Sequence, residues 1–148
     1  MTLARPKILC ISLSPITGDS RVLRQIGVLK EFGDVITVGF GPQPDGVWEH
    51  IEVPAGLATL PQTIGGVALL ATRQWRRAEL AAPAISFVRK ALAGRKFDLV
   101  VANEARVLGL ADHLAQGAPV WADMHEWAPE ERTHILSWRL LVAPFMVH

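Results

Sequence analysis

The chain has 148 residues, of which half are apolar and a fifth charged, and its formal net charge is +1. A chain of this length forms one ordinary domain that buries about two thirds of the surface its unfolded form exposes, so neither a disulfide nor a structural metal is required for stability. The near-neutral balance gives no electrostatic reason to expect nucleic acid as a partner, and no run approaches the ~18 apolar residues of a membrane span.

The N-terminal "MTLARPK" leads into no apolar core of signal-peptide length, so a cytoplasmic protein is expected. Residues 7–13, "KILCISL", are nearly continuously apolar, as in a central parallel strand covered on both faces. Cys10 lies within that run and reads as a buried, inert thiol in a reducing compartment. "SPITGDS" breaks the strand. Val22, Leu23, Ile26, Leu29 and Phe32 then recur at helical spacing, with Asp19 or Ser20 as the cap and Gly33 as the stop. "DVITVGF" is a second strand and completes a strand-helix-strand unit.

Residues 48–53 alternate as a short third strand. Residues 56–94 are expected to hold two helices divided near Pro83. "FDLVVAN" returns to strand, "EARVLGLADHLAQG" to a helix ended by Gly117, and "PVWADM" to strand. The last segment, "THILSWRLLVAPFMVH", reads as a helix from about Thr133 that is interrupted or ended at Pro144. Alternation of this kind predicts an α/β fold with a Rossmann-like, doubly wound, mainly parallel sheet.

Ligands of such sheets bind beyond the carboxyl ends of the strands, where the strand order reverses. The loops to inspect are therefore residues 12–20, 39–46, 103–106 and 123–131. In the first, Gly18 precedes a helix N-terminus whose free N–H groups favour a phosphate or carboxylate, and a plain capped turn explains the same residues. "VGFGPQP" is not a dinucleotide fingerprint, because the third glycine falls at Pro44 and the segment follows the second strand.

The fifth strand ends in "VWADMHEWAPEE", which gathers Asp123, His125 and Glu126 within four residues. A zinc-protease helix is excluded, since its second histidine would stand at Pro129. Asp123, His125 and His134 are all metal-ligand types, which leaves a metal-dependent hydrolase as the least favoured alternative. His125 is placed either to donate to a sugar hydroxyl or a developing charge, or to serve structure alone.

The order of these motifs resembles the N-terminal domain of GT-B fold, family 4 type glycosyltransferases. "GDSRVLRQIGVLKEFGDVITVGF" looks like that family's first helix and second strand, and "FDLVVANEARVLGLADHLAQGAPVWADMHEWAPEE" is similar to its fourth strand, helix and fifth strand. Residues 41–96 match only in general character. The resemblance implies a retaining transfer of a sugar from a nucleotide sugar to an acceptor hydroxyl, in which this domain holds a sugar or lipid-linked acceptor. His125 would reach the donor sugar as the catalytic residue. The Gly18 loop would lie against the donor phosphates, with Asn103, Asp123 and Glu126 shaping the same rim. No metal is implied, and no cofactor beyond the nucleotide sugar.

The family's nucleotide-sugar-binding domain would begin after residue 148. A truncated domain is therefore expected, marginally folded and inactive as an isolated chain. Two further expectations follow. An unprotected sheet edge or the apolar C-terminal helix offers a route to self-association, and "GGVALLATRQWRR" offers Arg73, Arg76 and Arg77 for peripheral contact with the inner membrane face. The opposing class is a non-catalytic sugar- or anion-binding or assembly module of the same fold.

Overall fold

A computed structural model of the chain describes residues 4–124, 130 and 132–147. Five strands, β1 (Lys7–Pro15), β2 (Asp34–Phe40), β3 (Glu49–Glu52), β4 (Leu99–Ala102) and β5 (Val120–Ala122), form one sheet in the order β3-β2-β1-β4-β5. Every pairing is parallel. This is the α/β, Rossmann-like arrangement expected from the sequence, and its order reverses between β1 and β4.

The central strands are apolar throughout because both of their faces are covered. Leu9, Ile11, Ile36, Val38, Val100 and Ala102 point to one face, where they meet helices α4 (Pro83–Ala91) and α5 (Leu108–Ala115) through Ile85, Val88, Leu110 and Leu114. Ile8, Cys10, Val35 and Val101 point to the other, against Val22, Ile26 and Leu29 of helix α1 (Ser20–Phe32). Those three residues recur at positions i, i+4 and i+7, which is one helical stripe. Trp121 pairs with Val101 and so belongs to the α1 face. No described helix covers it there, and its side chain is 53% exposed.

Three helices, not two, occupy residues 56–94. Helix α2 (Ile64–Ala71) is capped by the Thr63 hydroxyl, which accepts from the Gly66 N–H at 3.0 Å. Arg73 then takes a left-handed φ of 55°, which separates α2 from α3 (Trp75–Ala78). Pro83 opens α4 at a position where its missing N–H is harmless.

The fourth helix of the sequence reading is divided as well. A 3₁₀ turn over Ala105–Val107 leads into α5, which ends where Gln116 and Gly117 both turn to positive φ. The C-terminal helix is interrupted at Pro144, one of the two outcomes expected from the sequence, and does not end there. Residues Trp138–Val142 widen into a π-helical turn just before α6 (Ala143–Met146), so the proline falls in the first turn of a new α segment, where no N–H is missed. Trp138 and Phe145 are buried, the latter in a third small cluster with Leu70 and Ala78.

Gly39 shows why β1 and β2 slip out of register near their ends. A Cβ there would meet the Ser12 carbonyl oxygen at 2.5 Å and Ile16 Cδ1 at 2.6 Å. Only glycine lets the two backbones approach this closely.

Candidate functional site

The carboxyl ends of β1, β4 and β5 and the N-terminus of α1 bring polar side chains together at the reversal of strand order. Asp19 is the N-cap of α1, and its Oδ1 accepts from the backbone N–H of both Arg21 and Val22 at 3.1 Å. The free donors of the helix start are thus already occupied by a carboxylate, as in an ordinary capped turn. Gly18, one residue earlier, has a negative φ, and a Cβ placed on it would meet nothing within 4 Å. The fold itself does not require glycine there. An open pocket of about 370 Å³, lined by Ser14, Pro15, Gly18, Asp19 and Ser20, lies beside it.

Arg21 sends its guanidinium across the sheet ends. Its Nη1 donates to Asp123 Oδ2 at 2.8 Å and to Asn103 Oδ1 at 3.2 Å, while Gln25, one turn further along α1, donates to the same Asp123 oxygen at 3.2 Å. Asp123 is therefore fastened to α1 at the point where β5 ends. Asn103 is fully buried, and its amide donates to the Ile11 carbonyl at 3.2 Å and to Cys10 Sγ at 3.5 Å. With both ends of its side chain engaged, Asn103 influences the rim by orienting Arg21. Burial pushes the Cys10 thiol up to about 12, opposed by the Asn103 hydrogen bond, so the thiol stays protonated and unreactive.

A second polar string crosses the reversal point. Asp19 Oδ2, Ser14 Oγ, Ser12 Oγ and Glu104 Oε1 follow one another at 3.4, 2.9 and 3.4 Å. Ionised carboxylates only accept, so these three gaps share two hydroxyl protons. An outside hydroxyl can meet this string only at its half-buried end, at Ser14 and Asp19, since Ser12 is buried. The other Glu104 oxygen, Oε2, is buried and lies 3.4 Å from Arg106 Nη2, close enough to count as an ion pair, yet it accepts no hydrogen bond. At that separation and without alignment the contact is a weak one. Arg106 gives its other nitrogen to Thr59 Oγ1 at 3.1 Å.

Of the residues singled out from the sequence, Gly18, Asn103 and Asp123 lie around this one rim. His125 and Glu126 fall outside the described residues. The 39–46 loop is fastened to β3 by His50, whose Nε2 donates to the Gly41 carbonyl at 2.9 Å while Nδ1 accepts from Thr37. Arg21, Gln25, Ser12 and Arg106 were not assigned from the sequence, and Glu104 only as part of a motif. The available signal was the i, i+4 spacing of Arg21 and Gln25 beside the buried stripe of α1. Among the described residues, no three His, Cys, Asp or Glu side chains gather as metal ligands, and no helix is long and apolar enough to cross a membrane.

The chain matches no protein-family model, no curated protein and no solved structure.

Proposed function

We propose that this chain is the acceptor-side domain of a retaining glycosyltransferase, which moves a sugar from a nucleotide sugar to an acceptor hydroxyl in company with a separate donor-binding domain. The observation that supports this reading most is the string of carboxylates and hydroxyls, Asp19-Ser14-Ser12-Glu104, at the reversal of strand order. It is a carboxylate-rich rim that accepts hydroxyl groups, set where parallel sheets bind ligands. Arg21 fixes Asp123, two residues before the proposed catalytic His125. The domain presents one wall of a cleft and cannot by itself exclude water from a donor, so the isolated chain does not turn over. The cytoplasm is the proposed site of action.

A second reading, a non-catalytic sugar- or anion-binding module, draws on the open pocket beside Gly18. One experiment separates the two. Transfer from a panel of radiolabelled nucleotide sugars is measured for the 148 residues alone and for the same residues joined to a donor-binding domain. Transfer by the joined protein, lowered about 100-fold or more by His125→Ala with the fold intact, supports the enzyme. Sugar binding without transfer in the joined protein favours the module, and transfer by the isolated chain would overturn the half-site argument.

A further inference from the structure

Two segments far apart in sequence make one basic, apolar pole. Residues 64–78 and 132–147 pack together through Leu70, Ala78 and Phe145, with Leu69, Trp75, Leu141 and Met146 around them and the Trp75 and Phe145 rings 6.2 Å apart. These two segments carry Arg73, Arg76, Arg77, Arg132 and Arg139, all exposed, and none of the fourteen Asp and Glu of the chain. The other ten Lys and Arg are outnumbered by the fourteen Asp and Glu, of which Glu79 and Glu130 stand at the borders of these segments, so basic charge is concentrated at this pole.

The same pole displays aliphatic side chains. Ile64 is 93% exposed, Leu136 65% and Leu140 64%. Ile64 and Val67 stand one turn apart on α2, and Val67 faces Ile135, Trp138 and Leu141 across an apolar groove of about 270 Å³. Arg132 sits at the lip of that groove, its guanidinium 5.9 Å from the Trp138 ring.

Protein interfaces are centred on aromatic anchors that both partners desolvate. Here Trp138 and Phe145 are turned inward, and what projects is aliphatic, scattered and bordered by arginines. Such a surface suits the boundary between lipid headgroups and acyl chains, where aliphatic side chains sink in and guanidinium groups meet phosphates. We infer that this pole docks on an anionic lipid surface, with Ile64, Leu136 and Leu140 entering the acyl boundary and the five arginines at the headgroups. The C-terminal helix is thereby half of the docking surface, joined to the α2–α3 basic segment. The inference is independent of the transfer reading, since it concerns the opposite chemistry at a different place and is tested without any sugar.

The test is flotation of the chain with vesicles of phosphatidylcholine, alone or mixed with phosphatidylglycerol, at low and high salt. Binding should be at least tenfold stronger on the anionic vesicles and should weaken as salt rises. The triple variant Arg73→Gln, Arg76→Gln, Arg77→Gln should bind roughly a hundredfold more weakly, from about fivefold per basic side chain at an anionic surface. The exposed pair Leu136→Ser, Leu140→Ser should lose about tenfold or more. Circular dichroism checks that both variants keep the parent fold. Equal binding to neutral and anionic vesicles, no binding, or folded variants that bind as the parent does would each overturn the inference. So would concentration-dependent dimerisation without vesicle binding, abolished by the same substitutions, which would make the pole a contact between copies.

Discussion

Among the described residues, one face of the sheet is covered by two helices, α4 and α5, and the other by α1 alone, which leaves Trp121 of β5 uncovered. On the first face, Ile85, Val88 and Leu110 are fully buried against Leu9, Ile11 and Val100. On the second, Val22, Ile26 and Leu29 cover β1 and its neighbours, but Trp121 stands half in solvent and Val28 and Phe32 of α1 are more exposed still. All three residues of β5 are exposed, so dispersion and the hydrophobic effect hold this edge strand less firmly than the central ones. On the α1 side its end is held by charge, through the Arg21-Asp123 pair. The molecule has placed its polar rim where apolar covering ends, which gives the rim a firm floor and an open roof.

That contrast can be probed at four residues. The largest effect is expected on the doubly covered face, where Leu110→Ala should cost about 2–5 kcal/mol in a urea titration. Trp121→Ser, on the singly covered face, should cost about 1 kcal/mol or less. Equal costs would show that the two faces are closed to the same degree.

A loss between those two is expected from Arg21→Ala, about 1–2 kcal/mol, because it leaves the buried Asn103 oxygen without its donor and Asp123 with Gln25 alone. The pair is partly exposed, at 28% and 35%, which keeps the figure at the low end. Hydrogen exchange gives the sharper readout. The Asp123 amide, which donates to the Ala102 carbonyl, should lose protection while the Leu110 amide keeps its own. Uniform loss across the sheet would mean that Arg21 supports the whole fold and not the end of β5.

The smallest effect is one of pH. Arg95 grips Glu49 of β3 with two hydrogen bonds, of 2.8 and 2.7 Å, and holds its carboxyl below the ordinary value of 4.5. Because the folded-state value is the lower one, the contribution is complete above about pH 4.5 and is lost as pH falls through the folded value. The pair is over a third exposed on the Glu49 side, so its contribution is about 0.5 kcal/mol. Arg95→Gln should remove that increment from the acid limb of the stability curve; an unchanged limb would detach the β3 edge from this pairing.

The sequence disclosed the elements whose causes are local. The doubly covered run at residues 7–13, the 22-26-29 stripe and the Asp19 cap all follow from spacing and neighbouring residues. The break at Arg73 did not show, since a non-glycine residue at positive φ carries no mark of its own. Nor did the π-helical turn that carries the last helix through Pro144. At the rim, Gly18 and Asp123 were found by their positions after strands. Arg21 was missed because its partners, Asn103 and Asp123, lie 82 and 102 residues away, and only the assembled sheet brings them into reach.

The capped start of α1 has one more consequence. A carboxylate tethered a single residue from the helix end acts as a resident competitor, at an effective concentration on the order of millimolar or above for the two amides it holds. An incoming phosphate must either displace Asp19, releasing those amides in the exchange, or settle beside it over Gly18 and look to other donors. The helix end thus works as a filter against weakly bound anions and opens only for a ligand that brings enough contacts elsewhere to dislodge its own.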